Sequence, residues 1–599
     1  MREPKIFACI LGIFIFMIIS SLYILNTSNS SPIKNHQEFF LSSPSTISDH
    51  NITNLFSSNQ TFKNILFIDL IPRTPQVFSK ILSIKLDQYR KYTNQNLTCK
   101  PKIYGYSIDQ ASYFFKPKEF SDCSKNLNPI KNIVNNTIEL ECPLGYGEYL
   151  TSYGKEYEFF GRYNFKAKWI PFNNTIFVDL EDKEFAMIKC SDNVKQAFLM
   201  CKFLPDAYKR AKDIAEKIAE NVGMKDYKPL GVHVIIMDSV SRQHFYRNFA
   251  KTVDYLNERI VGSDDLVMYD FMINNVQGRN TRPNLVAMLF GRLISEHIKE
   301  VGNFSKNETV KNESFKRLQE ERAIWKYYER LGYVTFFGFE TMWTFFAADT
   351  GKYVYTDHNV LSFWNAAKTV FGFTDFIQKQ RCFGNKNAHM YLLDYLYQFI
   401  KKYKGVNKFS YMHFPEAHED SGSVIKLVDK EFKEILENII NTYSSTEEDF
   451  VIIIASDHGR GVNEWDLSDE GFFENTSSFQ ILITKQDLIQ RMGPQTHEIL
   501  THNTDRIVGR FDWYISYLHL ASFPYGNLPI DSQAYKDIKS STPSDKALSL
   551  FLEKIPNERT CEDLLIPSHY CQCRDFEPLD INSEIIQKLA IPLINSTID

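Results

Sequence analysis

Two short polar sequences in this chain directly follow runs of apolar, mostly β-branched residues. Asp238 follows residues 232–237 (VHVIIM), and Asp457 and His458 come just after residues 450–455 (FVIIIA). Such runs are typical of buried strands. Carboxylate oxygens and a neutral imidazole nitrogen are ligands that suit zinc or manganese. If the two strands share a sheet, these side chains form a site for one divalent metal ion, for which calcium is a further candidate.

The sequence NTRPNL, residues 280–285, offers a hydroxyl group as a further metal ligand. Pro283 suits the first turn of a helix, which places Thr281 near the positive end of the helix dipole. Helix-end amides and a metal ion stabilise a tetrahedral anion such as phosphate or sulfate, and they activate a hydroxyl nucleophile. From the residues alone, Thr281 is either this nucleophile or a plain helix cap.

The elements around these residues predict how they come together. Residues 333–337 (YVTFF) form a third strand-like run, and helical patterns over residues 389–403 and 424–443 lie between the runs. Alternating strands and helices predict an α/β fold with a mostly parallel sheet and helices on both faces. Ligands of such sheets bind beyond the carboxyl ends of the strands, which is where the candidate residues stand.

The longest uncharged apolar run lies at the N-terminus. Residues 6–25 have no charge and are long enough to span a bilayer as a helix. Arg2 and Lys5 favour a cytoplasmic N-terminus, so we predict a signal anchor over residues 1–25 and a stem over residues 26–62. This topology predicts a single-pass type II membrane protein of the secretory pathway, located in the Golgi, in the lysosome or at the cell surface. A cleaved signal peptide, giving a secreted protein, is the alternative.

Sequons and cysteines agree with a lumenal location. The chain has twelve Asn-x-Ser/Thr sequons, and nine cysteines lie outside the apolar run. Lumenal cysteines favour disulfides, and the odd number leaves one without a partner in the chain. A zinc site is the alternative for the last three cysteines, Cys561, Cys571 and Cys573.

Composition bounds the rest of the chain. The net charge of −5 over 599 residues, with no long basic block, argues against a nucleic-acid partner. We divide the lumenal part into a disulfide-braced accessory region (63–228), a catalytic domain (229–530) and a Cys-containing tail (531–599).

Several motifs together resemble a known family. They are MDSVSRQHFYRN, NTRPNLVAMLFG, GYVTFFGFE, YTDHN, RCFGN, IIASDHG and TCEDLLIPSHYCQC. Over roughly residues 60 to 580 the chain resembles domain-of-unknown-function family 229, within the alkaline phosphatase and sulfatase superfamily. The resemblance implies that superfamily's mostly parallel sheet sandwiched by helices. It also implies Thr281 as the nucleophile and Asp238, Asp457 and His458 as metal ligands together with Thr281.

The type of nucleophile narrows the chemistry that the resemblance implies. Sulfatases use a Cys or Ser converted to formylglycine, whereas Thr281 occupies that position here. The resemblance thus implies a membrane-anchored, metal-dependent hydrolase or transferase that acts on phosphate, and less readily sulfate, esters of a glycan or lipid. The alternative is an inactive ectodomain that binds a glycan or protein partner through the same cleft.

Two further residues are candidates for catalysis. The segment FPEAHED, residues 414–420, departs from the acid-to-His spacing of two-metal superfamily members, which favours a single metal. His418 is then a candidate general acid or ligand of the substrate phosphate. Arg242, in the DSVSR motif, either clamps a substrate anion or pairs with a structural carboxylate.

Overall fold

The computed structural model describes ten stretches of the chain: 97–101, 119–152, 168–224, 226–301, 308–340, 354–373, 381–419, 422–460, 465 and 469–573. The anchor and the stem predicted over residues 1–62 lie outside them. Within the described stretches, no helix has both the length and the apolar character needed to cross a membrane. All of these residues belong to one compact unit.

An antiparallel sheet forms the accessory region. Its strands are β1 (Ile130–Val134), β2 (Thr137–Ser152), β3 (Ile170–Asp179), β4 (Phe185–Cys190) and β5 (Lys195–Leu199). The long strand β2 pairs with β1, β3 and β4, and β5 pairs with β4. Ile138, Leu140 and Cys142 of β2 are buried on one face, while Glu141 is exposed. This alternation is typical of a sheet with one covered face.

Four disulfides form in the described residues, as the cysteine count predicts, and the first two of them link the accessory region to the rest of the fold. The pairs are Cys99–Cys573, Cys123–Cys382, Cys142–Cys190 and Cys561–Cys571. The ninth cysteine, Cys201, is a buried free thiol. The alternative of a zinc site at the C-terminal cysteines is wrong, because all three of those sulfurs are in disulfides.

Twelve more strands follow in the described residues. They are β6 (Leu230–Met237), β7 (Leu266–Asp270), β8 (Ile273–Asn275), β9 (Tyr333–Phe339), β10 (His358–Asn359), β11 (Cys382–Phe383), β12 (Lys386–Asn387), β13 (Asn407–Phe414), β14 (Asp449–Ala455), β15 (Ser477–Ser478), β16 (Gln480–Lys485) and β17 (Ile507–Val508).

Seven of these strands form the central sheet, in the order β10-β9-β13-β6-β14-β16-β7. The first five are mutually parallel. Strand β16 is antiparallel to both of its neighbours, β14 and β7, so β7 runs in the same direction as the first five. The mostly parallel sheet is therefore confirmed, and so are the three predicted strands, now β6, β9 and β14. Strand β13, between β9 and β6, is one that the sequence patterns did not identify.

Fifteen α-helices are present in the described stretches. They are α1 (Pro205–Asn221), α2 (Arg242–Asn248), α3 (Ala250–Arg259), α4 (Thr281–Phe290), α5 (Ile294–Val301), α6 (Glu308–Arg322), α7 (Ile324–Arg330), α8 (Leu361–Phe371), α9 (Ala388–Lys402), α10 (Val428–Ser444), α11 (Asp469–Thr476), α12 (Gln486–Met492), α13 (Thr496–Asn503), α14 (Arg510–Ser522) and α15 (Gln533–Lys539).

Helices cover both faces of the central sheet. Alternate residues of β6 point to opposite sides: Ile235 joins a core that includes Leu396 of α9 and Leu436 of α10. Val234 joins a second core that includes Leu289 of α4, along with side chains of α7 and α14. The predicted sandwich of helices around a sheet is therefore confirmed, and the carboxyl ends of its parallel strands form one edge.

Strand β14 depends on its apolar side chains for stability. Ile453 is fully buried at its centre, and we expect Ile453→Ala to lower the free energy of unfolding by about 2–5 kcal/mol, because it leaves a cavity. Leu144, which is 71% exposed, is the control: Leu144→Ala should change this free energy by less than about 0.5 kcal/mol. Urea unfolding at equilibrium measures both, and equal effects would contradict the placement of β14 in the core.

Candidate active site

Two aspartates lie side by side at the carboxyl edge of the central sheet. Strands β6 and β14 are parallel neighbours with Ile236 opposite Ala455, so the residues that follow them leave the sheet together. Asp238 and Asp457 are both buried, and the backbone N–H of Asp238 donates to the carbonyl of Phe414 on β13. The sheet register therefore brings together carboxylates that are far apart in the chain.

His458 lies at the centre of the candidate residues. Its Nε2 atom is 3.3 Å from Thr281 Oγ1, 3.4 Å from Asp457 Oδ2 and 3.7 Å from Asp238 Oδ1. Its Nδ1 atom is 2.6 Å from the carbonyl oxygen of Gly459. Because a carbonyl only accepts hydrogen bonds, Nδ1 carries the proton in the neutral ring, and the lone pair of Nε2 faces the three oxygens.

Helix α4 positions Thr281. The helix begins at Thr281, where its first backbone N–H groups have no partners inside the helix. Asn284 fixes the loop before it: its Oδ1 accepts from the N–H of Gln277, and its Nδ2 donates to the carbonyls of Gly278 and Asn280. Thr281 therefore lies at the positive end of a helix that is held by its own loop.

The structure adds His413, which sequence analysis missed. It lies near the end of β13, and its Nε2 atom is 3.0 Å from Asp238 Oδ2. Ligand atoms of Asp238, His413 and Asp457 lie within 4.8 Å of one another, a spacing that could hold a metal ion. His413 Nδ1 is 3.0 Å from the hydroxyl of Tyr411. The sequence does carry a signal for this residue, because His413 directly precedes the FPEAHED segment and lies near the end of a strand.

Ser239 turns the chain sharply after Asp238. Its φ of 59° lies in the left-handed region, which is unfavourable for residues other than glycine. In this conformation its N–H donates to Asp457 Oδ1 and its hydroxyl donates to Asp238 Oδ1. One strained residue thus ties the two carboxylates together, a pattern common at functional sites.

The electrostatics of the site favour a bound cation. Burial alone raises the pKa of Asp238, but the hydrogen bond from His413 and the charges of His418, His413 and His458 lower it overall, so the carboxylate is ionised. Asp457 Oδ1 accepts from the N–H of His458. Asp457 Oδ2 is buried and accepts no hydrogen bond from the described residues. A buried carboxylate oxygen without a donor beside a second carboxylate and an imidazole lone pair fits a metal ion.

Arg510 holds the backbone of Asp457 in place. This residue begins α14, is fully buried, and donates to the carbonyls of Ser456 and Asp457 and to the hydroxyl of Ser478. Burial lowers the pKa of Arg510 to about 10, so the guanidinium stays charged at neutral pH. A contact to the backbone of a candidate metal ligand orients that ligand without itself supplying a ligand atom.

Arg242 and His418 lie in different settings. Of the two interpretations of Arg242, the structure shows the structural one: its guanidinium forms a bidentate pair with Asp270 and is 1% exposed. It has no surface left for a substrate anion. His418 is half-buried in the loop after β13, which leaves the sheet at the same carboxyl edge as the segment after β6 that holds Asp238.

The acidic segment FPEAHED, which departs from the two-metal spacing, contacts cationic side chains of the protein itself. Glu416, in FPEAHED, is buried, and Arg381 lies within ion-pair distance of both Glu416 and Glu340. His389 Nδ1 lies 3.5 Å from Glu416 Oε1. Burial raises the pKa of Glu416, but the charges and hydrogen bonds of Arg381 and His389 lower it overall, so it is ionised.

The turn at Ser239 gives a direct test of this geometry. Ser239→Gly should change the melting temperature little, because the relief of strain at a positive φ offsets the loss of the hydroxyl bond to Asp238. Ser239→Val loses the same hydroxyl bond and adds a β-branched residue that is strained at this φ, so its free energy of unfolding should be at least about 2 kcal/mol lower than that of Ser239→Gly. Thermal unfolding of both variants measures this, and equal stability of the two would be inconsistent with a left-handed Ser239.

Comparison with solved structures finds distant likenesses. The C-terminal periplasmic domain of EcEptC from Escherichia coli is 13% identical, with 56% of this chain and 89% of that chain covered and a TM-score of 0.32. The soluble domain of lipooligosaccharide phosphoethanolamine transferase A from Neisseria meningitidis is 11% identical over 49% of this chain and 88% of that chain, with a TM-score of 0.32. The PsFucS1 sulfatase from Pseudoalteromonas sp. is 11% identical over 62% and 78%, with a TM-score of 0.29.

No curated protein matches the sequence. The pattern of a protein family, described as "Protein of unknown function (DUF229)", matches residues 93–598. Because this match spans most of the 599 residues, the chain belongs to the DUF229 family.

Proposed function

We propose that this protein is a metal-dependent enzyme that hydrolyses or transfers phosphate esters, and less readily sulfate esters, of a glycan or lipid. The observation that carries the proposal is the position of His458 Nε2, within 3.7 Å of oxygens of Thr281, Asp457 and Asp238. A nucleophilic hydroxyl, two carboxylates and an imidazole converge on one point at the strand ends, where α/β sheets bind ligands.

Four side chains would hold one divalent ion, namely Asp238, Thr281, Asp457 and His458. Zinc and manganese suit this set of oxygen and nitrogen ligands best. When bound, the ion polarises the ester oxygen and lowers the pKa of a coordinated hydroxyl. His413 and Arg510 act as positioning residues in this proposal, because His413 contacts Asp238 and Arg510 contacts the backbone of Asp457.

The reaction assigned to the chain's residues has two displacements. Thr281 reacts after its hydroxyl proton has passed to solvent, and it is deprotonated again when the second displacement frees it. Its Oγ1 forms a bond to phosphorus while the bond from phosphorus to the alcohol oxygen of the substrate breaks. His418 gives a proton to that oxygen, so the alcohol leaves neutral. Water or an acceptor alcohol then attacks the phosphorus, the bond to Thr281 breaks, and His418 takes back a proton. The amides at the start of α4 stabilise the anion in both steps.

A single metal fits this chain better than two. In the described residues, Glu416 faces Arg381 and His389, so a guanidinium and an imidazole supply positive charge beside it. We propose that these groups take the place of a second cation, which leaves His418 to handle the proton of the leaving alcohol.

The proposal places the catalytic domain on the lumenal side of a membrane of the secretory pathway. The apolar run at residues 6–25 anchors the chain, or is cleaved to release it. Four disulfides support an oxidising compartment, where they form and persist. Phosphate and sulfate esters of glycans and lipid head groups are the substrates that we propose for an anchored enzyme in such a compartment.

Metal content tests the ligand assignment. We expect Asp457→Asn to lose the bound metal and at least about a hundredfold in kcat/KM on an aryl phosphate ester, since it removes a ligand charge. Asp449→Asn is the matched control, because Asp449 is also buried but lies at the opposite end of β14. Elemental analysis of the purified full chain in detergent measures the metal. Equal metal content in both variants would refute the assignment of Asp457.

Substitution of the nucleophile separates catalysis from binding. Thr281→Ala should lower kcat by at least about a hundredfold, whereas Thr281→Ser, which keeps a hydroxyl, should retain much of the activity. Rates are measured on aryl phosphate mono- and diesters and an aryl sulfate, with and without a chelator. If the wild-type protein binds metal yet cleaves none of these esters, while it binds glycans saturably, the alternative of an inactive binding ectodomain is supported instead.

A further inference from the structure

We infer that Asn135 and Asn173 of the accessory sheet carry N-linked glycans and that Asn475 does not. These three are the sequon asparagines whose side chains lie in the described part of the chain. The sequence motif treats all three alike, since each is followed two residues later by Ser or Thr. The structure separates them by the space around each amide nitrogen, which is the atom that is modified.

Asn135 lies at the tip of a hairpin. It is exposed and has a φ of 54°, in a two-residue turn that joins β1 to β2, with Val134 opposite Thr137. Hairpin tips with small polar residues project into solvent. The Asn135 side chain is therefore accessible to solvent, into which a glycan on it can extend.

Asn173 lies on the open side of the same sheet. It is exposed on β3, which pairs only with β2 among the described strands, and it stands opposite Tyr146. The next residue, Asn174, has a φ of 55°, so β3 bends just after the acceptor. Thr175, which completes the sequon, is exposed as well. The backbone here is thus accessible on the side away from the core.

Asn475 is in the opposite situation. It is 3% exposed, its Nδ2 donates to the carbonyl of Gly459, and its own carbonyl accepts from the N–H of Gly459. Gly459 directly follows His458 and approaches the last turn of α11 so closely that an added Cβ would lie 1.9 Å from the carbonyl oxygen of Glu474. No space exists at this amide for a sugar, so a folded chain cannot carry a glycan on Asn475.

The disulfides supply an independent reason to expect glycans on the exposed sites. Eight cysteines pair in the described residues, which is typical of proteins that fold in an oxidising compartment, where sequons are also modified. Exposed apolar side chains lie next to both acceptors: Val134 is 57% exposed and Tyr146 is 45% exposed. A glycan beside each one shields apolar surface that the accessory sheet otherwise presents to water.

Site-resolved mass spectrometry tests this inference. The full chain is expressed through the secretory pathway of insect cells and treated with an amidase that converts glycosylated Asn to Asp. We expect the conversion at Asn135 and Asn173 and none at Asn475. Thr137→Ala and Thr175→Ala should each remove one glycan. Asn136→Gln changes the hairpin turn and Asn174→Gly changes the bend in β3. Neither removes a sequon, so both glycans should remain.

Three outcomes would overturn the inference. They are an unmodified Asn135 or Asn173 in disulfide-bonded protein, a glycan on Asn475 in folded protein, and a chain that stays in the cytosol, reduced and unmodified. Catalytic activity plays no part in the measurement, so its result is independent of the proposed enzymatic reaction.

Discussion

The fold buries two carboxylates next to each other. Much of the surrounding structure offsets the desolvation free energy that this burial costs. Removing an ionised carboxylate from water costs several kcal/mol even after the protein relaxes. Asp238 and Asp457 are 2% and 0% exposed, respectively. Hydrogen bonds from Ser239, His413 and the backbone repay part of that cost. Asp457 Oδ2 accepts no hydrogen bond from the described residues, and a bound cation would compensate for its lost hydration.

Sequence patterns identified the strands that are apolar along their whole length. Strands β6, β9 and β14 were recognised because almost every residue in them is apolar, as expected for strands covered on both faces. The rule about strand ends then predicts that Asp238 lies near Asp457, whereas the order of the strands in the sheet comes from the structure alone. The NTRPNL sequence carries its own helix-start signal, which predicts Thr281 at the start of α4. The role of Thr281 as a nucleophile is implied by the family resemblance instead.

No apolar run marks strand β13 in the sequence, because polar residues interrupt it, although all of its residues are buried. Lys408 pairs with Glu448, Ser410 lies 2.7 Å from a ring nitrogen of His233, and His413 bonds Asp238. Each partner is distant in the sequence, so no local pattern could show that these side chains are satisfied. The same holds for Arg242, whose partner Asp270 follows 28 residues later at the end of β7. Pairing of buried charges is a property of the fold.

The disulfide between Cys99 and Cys573 joins residues that are 474 positions apart. It turns nearly the whole described part of the chain into one covalent ring. A protease that cuts a single exposed loop anywhere in this ring opens it without releasing a fragment, so the two pieces stay attached under oxidising conditions. The ring can close only after the last of these residues has been synthesised, which makes the finished covalent architecture a property of the complete chain.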